Sequence, residues 1–141
     1  MEHITSKNNR WIRLAIRLKQ KKYRDKNKMF LMEGLRNAED VQNQEISDIV
    51  CLVQSGRAEN GSVQHIFERG ENLHWLFCEV EESLMRLISG TENGQGIILL
   101  VKQPYVMDYP QLLNGLHGKY VLLDTVQDPG NVGAIIRTAA A

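Results

Sequence analysis

The sequence predicts an α/β protein in which helices cover a largely parallel sheet. Short apolar segments alternate with stretches in which apolar residues recur at helical spacing. These segments, each predicted to be a strand, cover residues 29–32, 49–53, 75–80 and 96–101. Strands that alternate with helices are typical of a layered α/β domain, because each helix covers one face of the sheet.

The first predicted helix covers residues 6–22. Its apolar face is formed by Trp11, Leu14, Ala15 and Leu18. The charged stretch 19–28 that overlaps its end is interpreted as a solvated turn. Further helices are predicted at residues 35–42, 55–71 and 82–88, the second of them interrupted by glycines.

The character of the sequence changes near Tyr105, where we place a domain boundary. Prolines and glycines predict a linker with a short helix at residues 105–118. Residues 120–126 (YVLLDTV) are predicted to be a strand, followed by a tight turn at 128–131. A helix is then expected from Val132, with Asn131 as its N-cap.

Charge is unevenly distributed along a chain of zero formal net charge. Residues 1–36 contain eleven Lys/Arg and three Asp/Glu, whereas residues 37–141 contain six and fourteen. A basic arm before an acidic body suggests a polyanionic partner for the arm. The cysteines and histidines lack metal-ligand spacing, so no metal is expected. The longest aliphatic run, 97–101, is too short to span a bilayer, and two buried thiols suggest the reducing cytoplasm.

The most specific signal is the segment 122–139, LLDTVQDPGNVGAIIRTA. It resembles motif 1 of the SpoU-type (SPOUT superfamily) RNA 2′-O-ribose methyltransferases over eighteen residues. Upstream, the sequence is similar to the substrate-binding domain that often precedes the catalytic domain in this family. The pieces that carry this similarity are Ile4-Thr5-Ser6, Lys21-Lys22, residues 30–34, Thr91 and Gln95-Gly96.

The resemblance implies three regions. Residues 1–104 would be an RNA substrate-binding domain with a three-layer α/β/α fold, and 105–118 a linker. Residues 119–141 would be the truncated start of a SPOUT α/β-knot methyltransferase domain. The later family motifs, which hold S-adenosylmethionine and form the knot, would follow residue 141. The resemblance therefore implies an N-terminal fragment without cofactor-binding residues, inactive alone, from a family that usually forms homodimers.

The family's active-site asparagine and arginine correspond to Asn131 and Arg137. Spacing alone favours non-catalytic roles, with Asn131 as a helix cap and Arg137 on a solvated helix face. If the resemblance holds, Arg137 would stabilise negative charge on the ribose oxygen, because a guanidinium stays protonated and is a poor base.

The basic arm supplies the predicted RNA contacts, which are phosphate contacts that position RNA without reading its sequence. These residues are Arg10, Arg13, Arg17, Lys19, Lys21, Lys22, Arg24, Lys26 and Lys28. From the residues alone, a solvated helix face explains them equally well. Three hypotheses remain: a methyltransferase acting on rRNA or tRNA, a non-catalytic RNA-binding module, and a structural ribosome-associated protein, which would leave 122–139 unexplained.

Overall fold

The computed structural model describes residues 1–90, 95–104, 118 and 120–140, and the chain divides into two compact units, Met1–Pro104 and Tyr105–Ala141. The first unit contains strands β1 (Glu2–Ile4), β2 (Met29–Glu33), β3 (Val50–Gln54), β4 (Leu76–Val80) and β5 (Ile97–Lys102). Its helices are α1 (Arg10–Leu18), α2 (Lys21–Asn27), α3 (Leu35–Asn43), α4 (Gly61–Asn72) and α5 (Glu82–Ile88). Helix α6 (Pro129–Ala140) belongs to the second unit.

The five strands form one sheet in the order β1-β4-β3-β5-β2. Strands β1, β4 and β3 are parallel, whereas β5 is antiparallel to both of its neighbours. Four of the five strands therefore run in the same direction, and the predicted α/β class is confirmed with one reversed strand. The reversal was not predictable, because a strand buried on both faces has an apolar pattern without direction.

Each face of the sheet has its own apolar core. Leu52, Cys78 and Leu100 point to the face covered by α1 and α5. Cys51 and Leu99, which are their neighbours along the strands, point to the face covered by α3 and α4. Successive strand residues alternate between faces, so the sheet is the middle layer of an α/β/α sandwich.

The N-terminal region differs from its prediction in four ways. Strand β1 was missed, and α1 and α2 replace the single helix predicted at residues 6–22. Helix α1 buries Ile12, whereas Trp11 and Leu14 are only half-buried. Helix α2 lies where a solvated turn was predicted, and it buries none of its residues. An exposed helix leaves no periodic apolar signal in the sequence.

The second unit is simpler than predicted. In the part of it that the structure describes, residues 120–126 form no strand, because a strand needs a neighbour for its backbone hydrogen bonds. Helix α6 begins at Pro129, and Asp128 caps it: the Gly130 N–H donates to Asp128 Oδ1 at 2.9 Å. Asn131 therefore lies inside the first turn, and its prediction as the N-cap is wrong. Proline suits the first helical position, where no N–H partner is needed.

Two predictions concern residues outside the described part of the chain. They are the linker with its short helix at 105–118, of which only Gly118 is described, and the similarity at Thr91. Among the described residues, no helix is long and apolar enough to cross a bilayer.

Candidate nucleic-acid interface

The nine cations predicted to contact RNA lie on or beside α1 and α2, and we call this surface the basic face. Its members are Arg10, Arg13, Arg17, Lys19, Lys21, Lys22, Arg24, Lys26 and Lys28. All are exposed except Arg24, which is half-buried. Within the described residues, no member forms an ion pair with an Asp or Glu. An uncompensated cluster of like charge attracts polyanions.

Two members donate side-chain hydrogen bonds to other residues of the domain. Lys19 Nζ donates to the carbonyl oxygens of Leu87 at 2.8 Å and Ser89 at 2.9 Å, at the C-terminal end of α5. Arg24 Nη1 donates to the carbonyl oxygens of Leu18 at 3.0 Å and Lys19 at 2.9 Å, at the end of α1. Cations at the last carbonyls of a helix stabilise it. These two side chains therefore support the fold of the basic face.

Each of the two aromatic rings in α1 and α2 has at least one cationic side chain over it. The Arg10 guanidinium carbon lies 4.3 Å from the centroid of the Trp11 ring. The Tyr23 ring has the Lys22 ammonium at 5.0 Å and the Arg17 guanidinium carbon at 5.8 Å. These distances are within the range of cation–π attraction. The contact between Arg17 and Tyr23 links the cations of α1 to those of α2.

The end of β2 is tied to the same turn that binds Lys19. Ser89 Oγ donates to Glu33 Oε1 at 2.6 Å, and the Gly90 N–H donates to Glu33 Oε2 at 3.0 Å. The turn after α5 thus accepts from Lys19 and donates to Glu33. We call Lys19, Glu33, Ser89 and Gly90 the Lys19–Glu33 network. Glu33 is 56 and 57 residues away from its two partners, so this pairing leaves no local signal in the sequence.

The fold brings Gly34 and Gln95 together, although they are far apart in sequence. Gln95 Oε1 accepts from the Leu35 N–H at 2.8 Å and so caps α3, whose N-cap residue Gly34 has no side chain to do so. Gly34 has φ +106°, and a Cβ on it would lie 2.8 Å from that oxygen. An open cleft of about 730 Å³ adjoins this contact. It is lined by Glu33, Gly34, Leu35, Arg36, Asn37, Glu39 and Gln95.

The two predicted catalytic residues both lie on α6. Arg137 is exposed, and no described residue pairs with it. Asn131 is also exposed. Their separation of six positions places them about 120° apart around the helix and about 9 Å apart along it. Asn131 and Arg137 therefore lie on different faces of α6.

The second unit does not fit S-adenosylmethionine in its described residues. A concavity of about 350 Å³ lies beside α6. It is lined by Val121, Leu123, Ile135, Ile136, Ala139 and Ala140, none of which has a polar side chain. A zwitterionic sulfonium nucleoside needs polar groups to fix it. Among the described residues, no cluster of His, Cys, Asp and Glu could hold a metal ion either.

A protein-family model described as the MRM3-like substrate binding domain matches residues 9–99. The chain belongs to this family. The match begins at the N-cap of α1 and ends within β5, so it includes the whole basic face and the Lys19–Glu33 network.

The chain is also similar to several solved structures. An rRNA methyltransferase from Sinorhizobium meliloti is 29% identical to this chain, with a TM-score of 0.74. The match covers 98% of this chain and 50% of the methyltransferase. The structure of an AdoMet-bound rRNA methyltransferase from the same organism is 29% identical, with a TM-score of 0.73, over the same shares of the two chains. A protein described as an RNA 2′-O ribose methyltransferase is 26% identical with a TM-score of 0.64, and the match covers 98% of this chain and 51% of that chain.

These comparisons confirm the resemblance to SpoU-type RNA methyltransferases. The chain spans about half the length of the solved structures that it matches. A search of curated proteins gave no match.

Proposed function

We propose that this chain is the RNA-binding, N-terminal part of an S-adenosylmethionine-dependent RNA 2′-O-ribose methyltransferase that acts on rRNA or tRNA. The observation that carries the proposal is the basic face, whose cations lack acidic partners among the described residues. The basic face lies within the part of the chain that matches the family model of a substrate-binding domain. The similarity to a 2′-O ribose methyltransferase supports the type of reaction.

In this proposal the two units divide the work. Residues 1–104 hold the RNA through phosphate contacts, and 105–118 link them to residues 119–141, which begin the catalytic domain. Among the described residues, the side chains of seven members of the basic face form no hydrogen bond within the domain. These are Arg10, Arg13, Arg17, Lys21, Lys22, Lys26 and Lys28. They would bind phosphates, while Lys19 and Arg24 hold the helices in place.

Arg137 would act at the ribose 2′-hydroxyl. Its exposed guanidinium can stabilise the negative charge that develops on the oxygen, which makes the hydroxyl proton easier to remove. Asn131, on another face of α6, would orient the ribose or the turn before the helix. S-adenosylmethionine would supply the methyl group from a pocket formed outside the described residues. A cytoplasmic homodimer is the proposed setting.

RNA binding by the 141-residue chain tests the proposal. We expect the affinity for an rRNA or tRNA fragment to fall steeply between 50 and 200 mM salt, because each phosphate contact releases condensed counterions. Fluorescence anisotropy with Arg13→Gln and Lys26→Gln should show weaker binding, with the salt slope reduced by about one for each variant. Arg69→Gln, on α4 and the other face of the sheet, is the matched control. Binding that ignores salt, or variants that match the control, would contradict the proposal.

A non-catalytic RNA-binding module is the second candidate, because the described residues of the second unit do not fit the cofactor. Calorimetry with S-adenosylmethionine should show no binding to the 141-residue chain. Measurable binding would exclude the binding-only alternative. The reading frame beyond codon 141 separates the two candidates further: knot-forming motifs there support the enzyme, and their absence supports the module.

A further inference from the structure

We propose that the basic face binds double-helical RNA through the sugar–phosphate backbone and does not stack unpaired bases. The inference rests on the proposed function and specifies the class of RNA. Single-stranded RNA is recognised by stacking bases on aromatic rings and by hydrogen bonds to base edges, whereas duplex RNA is recognised by its shape and its backbone.

The aromatic rings on which bases could stack already contact cationic side chains. Arg10 lies over Trp11, and both Lys22 and Arg17 lie over Tyr23. The Trp11 indole nitrogen is buried, so this edge of the ring faces the domain. A base that stacked on the cation-covered face of either ring would displace a cation that attracts RNA.

Two of the three side-chain amides between positions 9 and 28, which could read base edges, already form hydrogen bonds within the domain. The Asn9 amide nitrogen donates to Glu2 Oε1 at 2.8 Å, while its oxygen accepts from the Trp11 N–H at 2.8 Å. The Asn27 amide nitrogen donates to the Tyr23 carbonyl oxygen at 2.7 Å. Of the Asn and Gln residues between positions 9 and 28, Gln20 alone has no such bond.

The other charged groups on α1 and α2 are cations on long side chains, with Asp25 as the one acidic residue of the two helices. Arg10, Arg13 and Arg17 form one stripe about 10 Å long on α1, because they recur every three to four residues. Lys21, Lys22 and Lys26 continue the charge on α2. Such a surface matches a series of phosphates on a regular helix and contains little that distinguishes one base from another.

Two fluorescent RNA probes test the inference with the 141-residue chain. One is a 20-base-pair hairpin stem, and the other is an unstructured 20-nucleotide oligouridine. At equal salt we expect the hairpin to bind about tenfold tighter. Tyr23→Leu should change the affinity for either probe by less than about twofold, because a stacked base contributes much more than that. Circular dichroism checks that the variant folds.

A second measurement needs no variant. Stacking of a base on Trp11 would quench tryptophan emission, so saturation of the unmodified chain with the hairpin should leave emission nearly unchanged. Equal or tighter binding of oligouridine, or strong quenching by it, would overturn the inference while leaving RNA binding intact. If neither probe binds in a salt-dependent manner, the proposed function fails as well.

Discussion

Lysines of the same sequence neighbourhood have different roles in this domain. Lys19 donates to two carbonyl oxygens at the end of α5, whereas Lys26 is exposed and has no partner among the described residues. Both lysines were predicted to contact phosphates. The distinction depends on Leu87 and Ser89, which are 68 and 70 residues from Lys19, so it could not be predicted.

Replacing these two lysines should separate stability from RNA binding. Lys19→Met removes two charge-assisted hydrogen bonds on the surface, and we expect the free energy of unfolding to fall by about 1 kcal/mol. Lys26→Met should change it by less than about 0.5 kcal/mol but weaken RNA binding. Urea unfolding and anisotropy measure the two effects. Equal loss of stability in both variants would show that the hydrogen bonds of Lys19 contribute nothing.

Gly34 should tolerate no side chain. Gly34→Ala places a Cβ 2.8 Å from Gln95 Oε1 at a φ of +106°, and we expect a loss of about 2 kcal/mol or more. Gly61→Ala is the matched control, since Gly61 begins α4 and has nothing within 4 Å of the added Cβ. The control should be neutral or stabilising by about 0.5 kcal/mol. Thermal unfolding compares them, and similar melting temperatures would contradict the geometry.

The two buried thiols should make the domain less stable in alkaline solution. Burial raises the pKa of Cys78 to about 11 and raises that of Cys51 further. Unfolded thiols titrate near ~8.5, so the unfolded chain loses protons first. The stability that these thiols provide is complete below this pH and is lost as pH rises above it.

Between pH 7 and 9.5, we therefore expect the free energy of unfolding to fall by about 2–3 kcal/mol in reducing buffer. The double variant Cys51→Ala with Cys78→Ala removes both thiols and should lose most of this dependence, although it is less stable at pH 7. A wild-type curve as flat as that of the variant would refute the assignment.

At the level of elements, the buried parts were predictable and the exposed parts were not. Helix α5 was predicted with its observed bounds, and β3 and β5 within one residue, because burial imposes a periodic apolar pattern. Helix α2 was missed, since it buries no residue. Strand β1 is only three residues long, too short for a recognisable alternation.

The same reasoning explains the error at residues 120–126. Their apolar composition predicts a strand, but a strand also requires a neighbour. Tyr120, Val121 and Leu122 are 55%, 60% and 81% exposed. The composition of a segment shows its tendency to form a strand, but it does not show whether a neighbouring strand is present to pair with it.

Hydrogen exchange should distinguish these residues from the sheet. We expect the amides of residues 121–126 to exchange within seconds at neutral pH, while those of β3, which pairs on both edges, stay protected for hours. Mass spectrometry of peptides from both segments measures the difference. Protection at 121–126 would mean that another chain covers them, and dilution would then remove it.

The whole molecule combines a basic N-terminal region with an acidic remainder. Eleven of the seventeen Lys and Arg residues lie in the first 36 positions. At about 10 mM salt the Debye length is about 30 Å, so charges on different molecules attract each other over long distances. We expect reversible self-association in sedimentation velocity experiments, which 300 mM salt abolishes. Association that persists at high salt would have an apolar cause instead.

The position of β5 also constrains how the protein is assembled. Among the strands that the structure describes, β5 is the last in sequence, yet it lies between β3 and β2, and β2 pairs with no other of these strands. During synthesis, β2 must therefore wait until residue 102 has left the ribosome. Until then, its neighbouring helices α1 and α2 lack the completed sheet on which they pack, so the segment that carries the basic face is made first and its side of the sheet is completed last.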